Sequence, residues 1–96
     1  MAKKVVWSQR AQNDRRRILK YWKDRNKSNV YSTKLALLFK DSVKIIGQFL
    51  KIGKQTDDIK VRIKIVKDFY IFYEETNTQI QILTVWDTRQ DPDELK

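Results

Sequence analysis

The chain has 96 residues, with 21 Lys or Arg against 12 Asp or Glu, a net charge of +9 at pH 7 and an isoelectric point near 9.9. That length suits one domain with a modest hydrophobic core, and the residues are 41% hydrophobic, too many for a disordered chain. There is no cysteine and no histidine, which excludes thiolate chemistry, disulfides, Zn–Cys sites, His-based triads and the usual neutral-pH general base. A charge imbalance this large exceeds what solubility needs and points to an acidic or polyanionic partner. No apolar run approaches a membrane span, and the start, Met1 to Ser8, has basic residues without the apolar stretch of a signal peptide. A cytoplasmic protein is therefore expected.

Lys3 to Trp7 reads as a short strand, β-branched and aromatic. Ser8 is a good N-cap for a helix over Gln9–Asn26. In that helix Ala11, Ile18 and Trp22 share one face, with Tyr21 beside them. Its other faces carry Arg10, Arg15, Arg16, Arg17, Lys20, Lys23 and Arg25. After a polar turn at Asn26–Asn29, a second helix is expected over Asn29–Lys51. Its core stripe is Tyr31, Leu35, Leu38, Ser42, Ile45 and Phe49, and Gly53 is expected to close it as a C-cap. Two helices joined by a short turn predict an antiparallel hairpin.

The pattern then changes period. Gln55–Asp58 is a polar connector. Lys60 to Val66 alternates basic and apolar residues, the mark of a strand with two unlike faces. Lys67-Asp68 marks a tight turn, and Phe69–Glu74 is an aromatic-rich strand. Thr76–Thr78 is a second turn, and Gln79–Trp86 a last strand. The tail, 87–96, is polar and mostly acidic after Arg89. The expected fold is α+β, in the order β-α-α-β-β-β. An antiparallel sheet carries a helical hairpin on one face. A single domain over 1–96 is expected, with an acidic tail at about 90–96.

The register of the hairpin decides which residues face outward. A three-residue turn at Lys67–Phe69 puts Lys60, Arg62, Lys64, Tyr70 and Phe72 on the open face. Val61, Ile63 and Ile65 then lie under the helices with Ile71 and Tyr73. A two-residue turn swaps the faces of the second strand and sets Tyr73 beside Arg62. The first arrangement makes a basic row beside aromatic rings, suited to RNA through Lys60, Arg62, Lys64 and Phe72. The basic face of the first helix is a competing surface.

Three stretches together resemble the RelE/ParE superfamily of bacterial toxins. They are Val5-Val6-Trp7-Ser8 with Ala11, the hairpin Val61–Tyr73, and the ending Val85–Pro92. The resemblance implies the toxin of a type II toxin–antitoxin module, bound as a hetero-oligomer by a cognate antitoxin whose disordered segment folds over it. RelE-like members cleave mRNA in the ribosomal A site, as metal-independent endoribonucleases, and this activity is the first expectation. Under it Arg62 and Lys64 stabilise the phosphorane-like charge, Arg89 is a third cation, and Tyr70 transfers a proton or stacks. No metal or cofactor is expected. ParE-like members inhibit DNA gyrase without nuclease action, and this is the alternative. A non-toxic nucleic-acid-binding module is a further one.

Two features depart from the nuclease pattern. Tyr70, where many nuclease members carry Arg, follows Phe69, and neither His nor a late aromatic follows Trp86. The ending, with Asp87, Arg89 and Gln90, resembles the ParE type. An ion pair of Arg89 with Asp87 or Asp91 is the structural alternative to a working role.

Overall fold

The computed structural model describes residues 3–89. Its elements are β1 (Lys4–Trp7), α1 (Gln9–Asn26), α2 (Val30–Gln48), β2 (Lys54–Gln55), β3 (Val61–Val66), β4 (Phe69–Glu75) and β5 (Gln79–Asp87). They form one five-stranded sheet in the order β1-β5-β4-β3-β2. The expected α+β order holds, and β3, β4 and β5 form the antiparallel meander. The sheet is mixed rather than antiparallel throughout, because β1 joins β5 in parallel. The two-residue β2, within the expected connector, adds an edge strand. The expected acidic tail lies outside the described residues.

Local chemistry sets the helix ends. Ser8 Oγ accepts from the Ala11 N–H at 3.0 Å and caps α1. Lys27 closes α1 in the left-handed region at φ 52°, and Lys23 and Arg25 lie in the last turn, where positive charge suits the helix dipole. α2 presents Leu35, Phe39, Val43 and Ile46 to the sheet, with Ser32 and Ser42 also buried. The predicted stripe is buried at Leu35 and Ser42, and Tyr31 and Leu38 pack against the core partly buried. Phe39, Val43 and Ile46 carry the rest of the buried face, and Ile45 and Phe49 are exposed. The core is completed by Ala11 and Ile18 of α1, Val66 of β3, Phe69, Ile71 and Tyr73 of β4, and Ile80, Ile82 and Val85 of β5.

Gly53 is not a C-cap. α2 ends at Gln48, and Gly53 has no positive φ. It is a point of close approach. A Cβ there would lie 2.6 Å from the Tyr73 hydroxyl oxygen and 2.8 Å from the Ile63 carbonyl oxygen.

The β3–β4 turn has two residues, Lys67 and Asp68, with Lys67 in the left-handed region at φ 53°. Val66 therefore faces Phe69, Lys64 faces Ile71, and Arg62 faces Tyr73. Opposed residues share a face, so Arg62, Lys64 and Val66 look toward the helices. Val61, Ile63 and Ile65 look the other way, with Tyr70 and Phe72. This corrects the three-residue register. The physical reason is that Phe69, Ile71 and Tyr73 are all nearly fully buried, whereas on β3 only Val66 is. The core takes the aromatic strand's apolar set, and β3 follows with whichever residues oppose it.

Candidate functional site

Alternation along β3 gave two unlike faces, as expected, yet the basic row and the rings part company. Tyr70 and Phe72 pack edge to face, centroids 6.5 Å apart, on the side away from Arg62 and Lys64. The expected RNA surface of Lys60, Arg62, Lys64 and Phe72 is thus split between two faces. So is the catalytic set, since Tyr70 cannot share a reacting phosphate with Arg62 and Lys64 through the sheet. Lys60 precedes β3, exposed, with its backbone N–H bonded to the Asp58 carboxylate.

Arg62 has structural work. Its Nη1 donates to the Gly53 carbonyl at 2.8 Å. The Tyr73 hydroxyl donates to the Leu50 carbonyl at 2.8 Å and accepts from the Gly53 N–H at 2.9 Å. Together the two side chains satisfy the backbone of the α2–β2 connector inside the protein, where unpaired groups would be costly. Burial raises the Tyr73 phenol above its ordinary value, and the Gly53 bond and the Arg62 charge offset this in part. That direction moves it away from a proton-transfer role near neutral pH. A hollow of about 200 Å³ opens beside it, lined in part by Leu50, Lys60, Arg62, Tyr73 and Glu74.

Arg89 stands at the other end of the sheet. Asp87 pairs with Phe69, whereas Arg62 sits in the Tyr73 row. Four residues of strand separate those rows, about 13 Å, and each guanidinium is tied down at its own end, Arg62 on the Gly53 carbonyl and Arg89 on Asp87. Arg89 is clamped by Asp87: Nε reaches Oδ1 at 3.0 Å and Nη2 reaches Oδ2 at 2.9 Å. The expected structural alternative for Arg89 therefore forms with Asp87. Its guanidinium also lies 4.9 Å over the Trp22 ring. Gln90 lies outside the described residues.

Burial pushes the Asp87 carboxyl up, but the hydrogen bonds from the Arg89 side chain and N–H, with its charge, more than offset this and leave its pKa below the ordinary value. A carboxyl depressed on folding stabilises above its unfolded pKa and loses that contribution as pH falls through the folded one. Thermal melts of the wild type and Asp87→Asn should therefore differ at neutral pH, and the gap should narrow only as pH falls below about 4.

The reading of the sequence missed Asp14. It is 6% exposed and accepts from the Thr84 hydroxyl, and from the Val85 N–H at 3.3 Å. Arg17 pairs with it at 3.2 Å and Arg10 at 3.9 Å. Its role follows from strand lengths. β5 outlasts β1, leaving the edge of β5 beyond Ile82 without a strand partner among the described residues. Ser8 takes up the Ile82 and Leu83 carbonyls, and Asp14 takes the next N–H. The signal was available: Asp14 lies three residues after Ala11 and four before Ile18, on the buried stripe.

The family model described as "ParE toxin of type II toxin-antitoxin system, parDE" matches residues 5–92. The chain belongs to the ParE toxin family. Among solved structures, one described as "Chromosomal ParDE TA system from P. aeruginosa" is similar in fold, with a TM-score of 0.79 at 17% sequence identity, covering 92% of this chain and 98% of that one. No curated protein matches. Membership makes this ParE-family chain the toxin of a type II module and implies a cognate antitoxin as its partner. No helix among the described residues is long and apolar enough to cross a membrane.

Proposed function

We propose that this toxin, a single domain acting in the cytoplasm, arrests growth by binding DNA gyrase without cutting nucleic acid, and that a cognate antitoxin holds it in a hetero-oligomer until released. The observation that carries this reading is the dispersal of the expected catalytic set. Arg62 is held on the Gly53 carbonyl, Tyr70 is on the opposite face, and Arg89 is clamped by Asp87, whose row lies about 13 Å further along the strands. RNA cleavage through a 2′-oxygen needs a base, an acid and cations around one phosphate. The family model and the ending at Asp87 and Arg89 support the same choice.

The test is induction in growing cells, following protein synthesis and the DNA-damage response together. DNA damage with translation initially intact is expected. A rapid stop in translation with cut mRNA would overturn the proposal in favour of ribosome-dependent cleavage. Healthy cells would remove the toxin role itself. Arg62→Ala is a companion prediction. It should lower stability by about 1–2 kcal/mol by unpairing the Gly53 carbonyl, while the folded fraction stays toxic. Loss of toxicity at unchanged folded yield would return Arg62 to the working surface.

A further inference from the structure

Cations and aromatic rings interleave at one corner of the molecule. There the C-terminal half of α1 meets the end of β5, the β3–β4 turn and the start of α2. Tyr21, Trp22 and Tyr31 pack edge to face, with successive centroids 5.2 and 5.1 Å apart. Arg89 lies over Trp22 at 4.9 Å, Arg25 over the same ring at 5.8 Å, and Lys67 Nζ 5.6 Å from the Tyr31 centroid. We propose that this corner is a contact site for the phosphodiester backbone of single-stranded nucleic acid.

The geometry suits that ligand in three ways. First, Arg17, Tyr21 and Arg25 fall at i, i+4 and i+8 of α1. They form one stripe about 12 Å long, enough to meet more than one phosphate. Second, the guanidinium groups keep free edges. Asp87 takes Nε and Nη2 of Arg89, and Asp14 takes Nη2 of Arg17. Nη1 of Arg89 and both Nε and Nη1 of Arg17 have no partner among the described residues. An arginine set over a ring and fixed along one edge, as Arg89 is, is already ordered to bind a phosphate with another. Third, there is room. A hollow of about 360 Å³ is lined by Arg17, Ile18, Tyr21, Asp87 and Arg89. Tyr21 is 51% exposed beside it, and its hydroxyl accepts from Arg25 Nη1 at 3.1 Å, which leaves its proton to donate.

Asp14, Asp68 and Asp87 offset part of the local positive charge. Charge alone therefore does not select the corner. The half-exposed Tyr21 ring does, because an unpaired base gains from a stacking surface that a carboxylate chain cannot use. The inference is independent of which cellular enzyme the toxin arrests.

The test is fluorescence anisotropy with a fluorescein-labelled oligothymidylate of 15 nucleotides, titrated across a salt series. The variant Arg17→Gln/Arg25→Gln/Arg89→Gln, shown folded by circular dichroism, should bind at least tenfold more weakly at about 0.1 M salt. Its slope of log K against log salt should fall by about 2, roughly 0.7 for each cation removed. The control Lys44→Gln/Lys54→Gln/Lys60→Gln removes equal charge elsewhere and should lose less than threefold. Equal losses in the two variants would mean diffuse attraction and overturn the site. A measurement on the unaltered protein guards against a folding defect: the Trp22 indole resonance should shift as unlabelled oligothymidylate is added. A Trp22 signal that stays fixed at saturation overturns the proposal, as does equal competition by polyglutamate, which would make the corner a site for acidic peptide instead.

Discussion

Gly53→Ala is expected to destabilise the protein by about 3 kcal/mol, lowering the melting temperature by roughly 12–24 °C. A helix C-cap glycine held at positive φ would cost only about 1–2 kcal/mol when replaced by Ala, so the magnitude separates the two roles. The new Cβ would sit 2.6 Å from the Tyr73 hydroxyl oxygen and 2.8 Å from the Ile63 carbonyl oxygen. One of these must move. The carbonyl belongs to the β2–β3 pairing and Tyr73 is 1% exposed, so neither has room. Displacing the phenol would also unpair the Leu50 carbonyl and the Gly53 N–H. Tyr73→Phe makes the second loss without the clash and should cost about 2–3 kcal/mol. Equilibrium denaturation of the two variants measures both. A Gly53→Ala protein within 1 kcal/mol of wild type would return Gly53 to an ordinary loop position.

Asp14→Ala should cost about 2–4 kcal/mol, because it unpairs two buried donors, the Thr84 hydroxyl and the Val85 N–H. Asp14→Asn keeps an acceptor and should cost roughly half as much. The ion pairs with Arg10 and Arg17 add little, since both arginine side chains are more than half exposed. A double-mutant cycle of Asp14→Ala with Thr84→Val should show about 1 kcal/mol or more of coupling. Additive effects would mean that the Thr84 hydroxyl contributes nothing to the Asp14 link between α1 and β5, leaving the Val85 N–H to carry it.

The elements were legible because each had a strong local signal. The Ser8 cap and the Ala11, Ile18, Trp22 spacing located α1, and the alternation from Lys60 to Val66 located β3. The site was less legible because it depended on one integer, the length of a turn. Lys67-Asp68 carries no glycine to announce a residue at positive φ. A one-residue difference there carries the whole strand to the other face. Alternation in β3 says that basic and apolar residues part, not which set meets the helices. That choice was made by Phe69, Ile71 and Tyr73, whose burial outweighs that of Ile63 and Ile65, the latter 43% exposed. The Arg89–Trp22 contact joins residues 67 positions apart, and local pattern carries no trace of it.

Purified gyrase offers the most direct test of the proposed action. The toxin, freed of antitoxin, is added to gyrase, ATP and relaxed plasmid, and in parallel to a translating extract with a defined mRNA. The account predicts loss of supercoiling at toxin concentrations that leave the mRNA whole. Normal supercoiling, with the mRNA cut on the ribosome, would contradict it.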